Sequence, residues 1–152
     1  MFLTTALTKN AYLIACDAHF GQVDKAGNPY ILHPIFLAHQ FNDEKLVAAA
    51  LLHDVIEDSN WTETGLLERN IPPEVVSIVS VLTRKDKEKY FDYIERISHN
   101  PDAVKIKLAD LRHNSDLSRL GMITGQDLSR KKRYLKAINI LEEVSYGSEI
   151  KY

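Results

Sequence analysis

Apolar residues recur at helical spacing along most of the chain, and short polar breaks divide them into segments. From Leu3 to Phe20, Leu7, Ala11, Ile14, Ala15 and Ala18 fall on one helical face, and Gly21 supplies a C-terminal stop. In the polar stretch that follows, Gly27, Asn28 and Pro29 are turn formers, and Pro29 holds Asn28 away from helical geometry. Pro34 suits the first turn of a helix reaching about Phe41, and Asn42 or Asp43 can cap the next. That next segment, Lys45-Leu-Val-Ala-Ala-Ala-Leu-Leu52, is rich in strong helix formers, apolar on more than one face, and expected to continue as one helix through Asp58. Thr62 to Arg69 reads as a short helix opened by a capping box, and Pro72 and Pro73 open another to about Leu82. The valines between 75 and 81 would also suit a strand, but the flanking helical pattern offers no partner. Further helices are expected near Lys87–His99, Asp102–Arg119 and Asp127–Tyr146. No repeat or linker interrupts the series. The expectation is an all-α bundle of roughly seven or eight helices forming one domain over residues 1–152.

Composition narrows the partners. The chain has 152 residues, 45% hydrophobic and 26% charged, which suits one soluble domain with a sizeable core. A formal net charge of −2 and a pI near 6.3 give no general attraction to polyanions. The densest basic run, Arg130-Lys-Lys-Arg133, shares its helix with Tyr134, Leu135 and Ile138 and reads as a solvated face, so no nucleic-acid partner is expected. No apolar run approaches the roughly 18 residues of a membrane span, and no charged-then-apolar leader precedes the first helix. A lone cysteine, Cys16, excludes an intrachain disulfide, reads as core packing and suits a reducing compartment. A cytoplasmic protein with no membrane partner is expected; no oligomeric state is legible.

The chemistry concentrates in Leu51-Leu52-His53-Asp54-Val55-Ile56-Glu57-Asp58. Adjacent residues on a helix lie about 100° apart, so His53 and Asp54 can reach one ion, while Glu57 and Asp58 follow one turn later. Ionisable residues at the end of an apolar helix lose solvation unless paired or coordinated, and a divalent cation offsets much of that cost. Acids at a helix C-terminus also oppose the macrodipole, which again calls for a local stabiliser. His33 at a helix start and Asp110 within Val104-Lys-Ile-Lys-Leu-Ala-Asp110-Leu raise the candidate ligands to His33, His53, Asp54 and Asp110. Two nitrogen and two oxygen donors suit manganese, iron or zinc better than calcium, and a thiolate site is excluded. Glu57 or Asp58 can orient and deprotonate a water, without the sequence ranking them. Lys25 and the segment Arg84-Lys-Asp-Lys-Glu-Lys89 are candidate phosphate clamps, and Asn114, one turn after Asp110, can offer an amide to the same cleft. His19, His39, His99 and His113 fall outside the ligand positions, with His19 and His113 best placed to shape the cleft. Tyr90, Phe91, Tyr93 and Ile94 read as core.

This His33, His53-Asp54, Asp110 pattern resembles the signature of HD-domain metal-dependent phosphohydrolases. Ala18-His-Phe-Gly-Gln22, Gly27-Asn-Pro-Tyr-Ile-Leu-His-Pro34, Ala49-Ala-Leu-Leu-His-Asp-Val-Ile-Glu-Asp58 and Val104-Lys-Ile-Lys-Leu-Ala-Asp-Leu-Arg-His-Asn114 are similar to the hydrolase domain of the RelA/SpoT alarmone enzymes and their small stand-alone relatives, over about residues 15–120. The resemblance implies removal of pyrophosphate from the 3′ position of guanosine tetra- or pentaphosphate, (p)ppGpp, without synthetase activity. It implies a manganese ion on His33, His53, Asp54 and Asp110, with Glu57 and Asp58 activating water and Asn114 touching the nucleotide. The alternatives are a phosphatase acting on another nucleotide, or a nucleotide-binding regulatory module that would not require Glu57 and Asp58 beside all four ligands. One departure stands out: Asp24-Lys25 occupies a place where many members carry a basic pair. With Asp116 near the presumed nucleotide, this acid is expected to alter or broaden specificity, and Asp24→Arg to lower KM for the alarmone.

Overall fold

In a computed structural model, which describes residues 4–149, the helical pattern of the sequence folds into helices throughout. The chain divides into two compact units, Met1–Arg84 and Lys85–Tyr152. The first holds α1 (Ala6–Ala18), α2 (Leu32–Ala38), α3 (Glu44–Leu52), α4 (Val55–Asp58), α5 (Glu63–Glu68) and α6 (Pro73–Leu82). The second holds α7 (Tyr90–Ser98), α8 (Pro101–Ser115), a 3-10 turn at Leu117–Arg119 and α9 (Gly125–Glu149). Among the described residues the only extended pairing is an isolated antiparallel bridge between Val23 and Pro29. The all-α expectation holds, and the valines of 75–81 lie in α6.

In the first unit α3 is the central rod, packed by α1, α2 and α6. Every residue from Leu46 to Leu52 is buried, and Ala48, Ala49 and Ala50 leave room for neighbouring backbones to come close. Burying each leucine side chain contributes about 1.5–3 kcal/mol. Asp43 starts the rod by accepting the Leu46 N–H at 3.1 Å. In α1 the capping box is Thr5 with Thr8, whereas at α5 only half of the expected box forms. Thr62 accepts from Gly65 N at 3.1 Å, and glycine, at that third helical position, has no side chain to answer with. Half-buried Cys16 lies against Tyr12, whose hydroxyl is raised chiefly by its hydrogen bond to that thiol.

The expected continuous helix through Asp58 is broken. α3 ends at Leu52, and Asp54 adopts φ −105°, ψ 0°, at the edge of the helical basin, before the four-residue α4 begins. The break has a local cause: His53 turns its ring back, donating from Nδ1 to the Ala50 carbonyl at 2.7 Å, and so competes for a carbonyl of the last turn.

In the second unit α8 packs on α9 and α7 on both. Tyr93 and Ile94 are buried there, while Tyr90 and Phe91 carry the cations Arg133 and Lys136 over their rings at 4.7 and 4.6 Å. Arg133 of the basic run thus lies on an aromatic face. The helix expected over Asp102–Arg119 stops at Ser115, where Asp116 instead caps the 3-10 turn through Ser118. At the start of α9, Thr124 and Asp127 exchange hydrogen bonds, so that long helix opens on a reciprocal cap.

Candidate metal centre

The break after α3 turns His53 and Asp54 toward the start of α2. His33, His53 and Asp54 each present one ligand atom, and these lie within 4.8 Å of one another. Both histidines are buried, with ring centroids 5.2 Å apart and planes at 63°. Because the Ala50 carbonyl can only accept, His53 carries a proton on Nδ1, and its Nε2 faces the cluster with Asp54 Oδ2 2.9 Å away. Two imidazoles and a carboxylate brought together in one corner are a donor set that suits a divalent cation, so these residues fit a metal ion.

Asp54 has a second partner that the sequence reading missed: the Tyr30 hydroxyl donates to the same Oδ2. Tyr30 lies between two imidazoles, its ring centroid 4.9 Å from His19 and 5.7 Å from His33. His19 is buried and held below its ordinary pKa, chiefly by loss of solvation. Its Nδ1 meets Gln22 Oε1 at 2.9 Å, and Gln22 Nε2 reaches the Asp58 carbonyl at 2.7 Å. Both missed residues stand inside the quoted motif stretches. The available signal was a hydroxyl and an amide with no assigned task.

One helical turn beyond Asp54, the Asp58 amide donates to the Asp54 carbonyl at 3.0 Å, so these two residues keep the i, i+4 spacing within α4. Loss of surrounding water pushes the Asp58 carboxyl up to about 6; the like charges of Asp54 and Glu57 add to this, and His53 and His33 oppose it. Glu57 is held differently, accepting the Arg84 N–H at 2.5 Å. The clamp candidates Lys25 and Arg84 are both exposed. In the segment that follows, Glu88 is held down to about 2, first by its hydrogen bonds with Arg96, so its charge is paired with a cation outside Arg84–Lys89.

Asp24 has a role within its own loop. Its Oδ1 accepts the N–H groups of Ala26 and Asn28, each at 2.9 Å, which turns the carboxylate into its own loop. Asp116 likewise accepts from Ser118, at 2.9 Å from its amide and 2.6 Å from its hydroxyl, and is lowered chiefly by the hydroxyl bond. Both acids thus spend a carboxylate oxygen on closing their own turns.

Asp110 is buried on α8 in the second unit, where Lys107 Nζ bonds Oδ2 and Asn114 Nδ2 bonds Oδ1, each at 2.7 Å. Asn114 therefore orients Asp110 directly, and its amide oxygen remains the atom suited to meet a donor.

A family profile described as HD domain matches residues 11–114. The chain belongs to the HD domain family. Among curated proteins, this HD domain is 37% identical over 121 residues to the bifunctional (p)ppGpp synthase/hydrolase SpoT of Escherichia coli strain K12, an alignment covering 70% of the chain and 17% of that protein. A guanosine-3′,5′-bis(diphosphate) 3′-pyrophosphohydrolase of Haemophilus influenzae is 38% identical over 117 residues, covering 67% and 17%. A GTP pyrophosphokinase of Streptomyces coelicolor is 35% identical over 149 residues, covering 88% and 16%. The chain thus spans about a sixth of these relatives. In fold it superposes at a TM-score of 0.74 on a solved metazoan SpoT ortholog described as hydrolysing ppGpp, with 23% identity and coverage of 91% of this HD domain and 86% of that chain. No helix among the described residues is long and apolar enough to cross a membrane.

Proposed function

We propose that the protein is a metal-dependent 3′-pyrophosphohydrolase of (p)ppGpp. The observation that carries this reading is the gathering of His33, His53 and Asp54 within 4.8 Å, one helical turn before Asp58, in an HD domain whose relatives bear that activity in their names. Asp110 enters the ligand set on the sequence pattern alone. A divalent cation, manganese in this reading, would supply Lewis acidity that makes hydroxide available near neutral pH and offsets phosphate charge.

The residues of the chain divide the remaining work. Asp58, with its carboxyl pushed up to about 6, accepts the proton of the attacking water. Glu57, fixed by the Arg84 amide, orients that water beside it. The water oxygen adds to the phosphorus on the 3′ oxygen, the bond from that phosphorus to O3′ breaks, and pyrophosphate departs while O3′ takes up a proton, leaving GDP from the tetraphosphate. Lys25 and Arg84 are placed in the clamp role for phosphate oxygens, and Asn114 in that of a nucleotide contact.

The test is product analysis with and without manganese across guanosine tetraphosphate and nucleoside mono-, di- and triphosphates. GDP and pyrophosphate appearing only with metal is the expected outcome. Hydrolysis of a different phosphorylated nucleotide, with the alarmone untouched, would support the second reading. Absence of any metal-dependent hydrolysis would refute both.

A further inference from the structure

α4 has four residues, too few to be stable alone, because one turn fixes several dihedrals for very few hydrogen bonds. Yet it carries Asp54 at its N-cap and Asp58 at its end, the two carboxylates to which the functional reading gives metal binding and proton transfer. Something outside the helix must hold both ends. Each is held by one segment, the Gln22–Tyr30 loop.

That loop is closed on itself. Tyr30 N bonds the Gln22 carbonyl at 2.9 Å, Asp24 N bonds the Asn28 carbonyl at 2.8 Å, and Val23 bridges to Pro29. Asp24 ties the tip through Ala26 and Asn28, and Gly27 takes φ +83°, a conformation that side-chain-bearing residues rarely adopt. From its two ends, now side by side, come Gln22 and Tyr30. Tyr30 grips the Asp54 carboxylate through its hydroxyl, and Gln22 grips the Asp58 carbonyl at 2.7 Å. The orientation of the amide is enforced: Nε2 faces two carbonyls, of Asp58 and, at 3.3 Å, of Ala18, so Oε1 must receive the proton on His19 Nδ1.

We propose that the Gln22–Tyr30 loop is a clamp that grips α4 at both ends and fixes the spacing of its two carboxylates. Tyr30 positions the metal-binding carboxylate of Asp54, and Gln22 positions Asp58 through its backbone; neither touches substrate. The two role assignments rest on the functional reading above, whereas the clamp itself does not.

Three measurements on the full chain separate these claims. Amide hydrogen exchange reads the clamp without metal or substrate: Tyr30→Phe and Gln22→Met should each speed exchange at Val55–Asp58 about tenfold or more while leaving α6 unchanged. Isothermal titration with manganese alone reads the Asp54 grip. Tyr30→Phe keeps the ring between its imidazoles, loses only the hydroxyl, and should weaken the ion about 10- to 100-fold, the range for losing a partner of a metal ligand. Steady-state hydrolysis reads the Asp58 grip, since Gln22→Met should lower kcat about tenfold with KM and manganese affinity within about twofold. Gln22→Glu keeps an acceptor for His19 but cannot donate to Asp58, so it should resemble Gln22→Met. Unchanged exchange in α4 overturns the clamp. Wild-type manganese affinity in Tyr30→Phe, or wild-type kcat in Gln22→Met, overturns the corresponding positioning role. A wild-type chain that neither binds manganese nor hydrolyses any nucleotide would instead remove the functional reading, with the exchange result still deciding the clamp.

Discussion

Asp58 and Glu57 are adjacent carboxylates in different circumstances, and the difference ranks them. Glu57 accepts a backbone N–H from Arg84, an interaction that an amide side chain can also accept, whereas Asp58 is pushed up to about 6 by desolvation and neighbouring acids. Asp58→Asn should therefore retain manganese and lose about 100-fold or more in kcat, and Glu57→Gln should lose less, as single-turnover rates at saturating metal would show. Losing the metal in both variants would make these residues ligands. The raised pKa has its own sign. In the metal-free fold the proton on Asp58 is favoured, so this group's stabilising effect is full below its ordinary pKa and is lost as pH rises through about 6, while the base form appears only above it. A bound cation favours the carboxylate, so zinc, a diamagnetic probe, should move the carboxyl carbon's NMR titration to lower pH. A midpoint insensitive to zinc would place Asp58 away from the ion.

At the scale of elements, helices were legible wherever apolar periodicity and caps agreed. α6 starts at Pro73 and ends at Leu82 as its pattern indicates, and Asp43 caps α3. The break between α3 and α4 was not legible, because Lys45 to Asp58 has good helical character throughout and the interruption comes from what His53 and Asp54 bond in three dimensions. The same limit hid Tyr30 and Gln22: residue types in the sequence announce ligands and bases, but the partner of a hydroxyl is set by folding. It also hid the two backbone partners of Asp24, whose acidity alone was visible. Asp24→Arg should therefore give no KM gain on the alarmone. It should cost about 1 kcal/mol, comparable to losing a helix cap, and lower the unfolding midpoint by a few degrees. Asp24→Asn, which keeps an acceptor oxygen, should recover most of that loss in thermal melts. An equal loss in both variants would mean that charge, not turn closure, is what the position provides.

For the whole molecule, the ion and the fold are linked by mass action. An ion that binds only the folded chain stabilises it by RT ln(1 + [L]/Kd), about 2.7 kcal/mol at a hundred times Kd, which for about 150 residues corresponds to a rise of roughly 5–10 °C in the unfolding midpoint. His33, His53 and Asp54 all lie in the Met1–Arg84 unit, so the stabilisation should originate there. Differential scanning calorimetry with and without manganese measures it. His53→Ala and Asp54→Ala should abolish the shift and the hydrolysis together, even where the metal-free variants melt near the metal-free wild type. Asp110→Ala then decides the fourth ligand. Its carboxylate is buried with Lys107 and Asn114 as partners, so the variant should melt lower whether or not Asp110 meets the ion, because Lys107 is left without its acceptor. The informative quantity is the manganese-induced shift, not the midpoint itself. A shift that survives in Asp110→Ala would limit the ligand set to the three residues of the first unit, and a lost shift would establish Asp110 as the fourth donor.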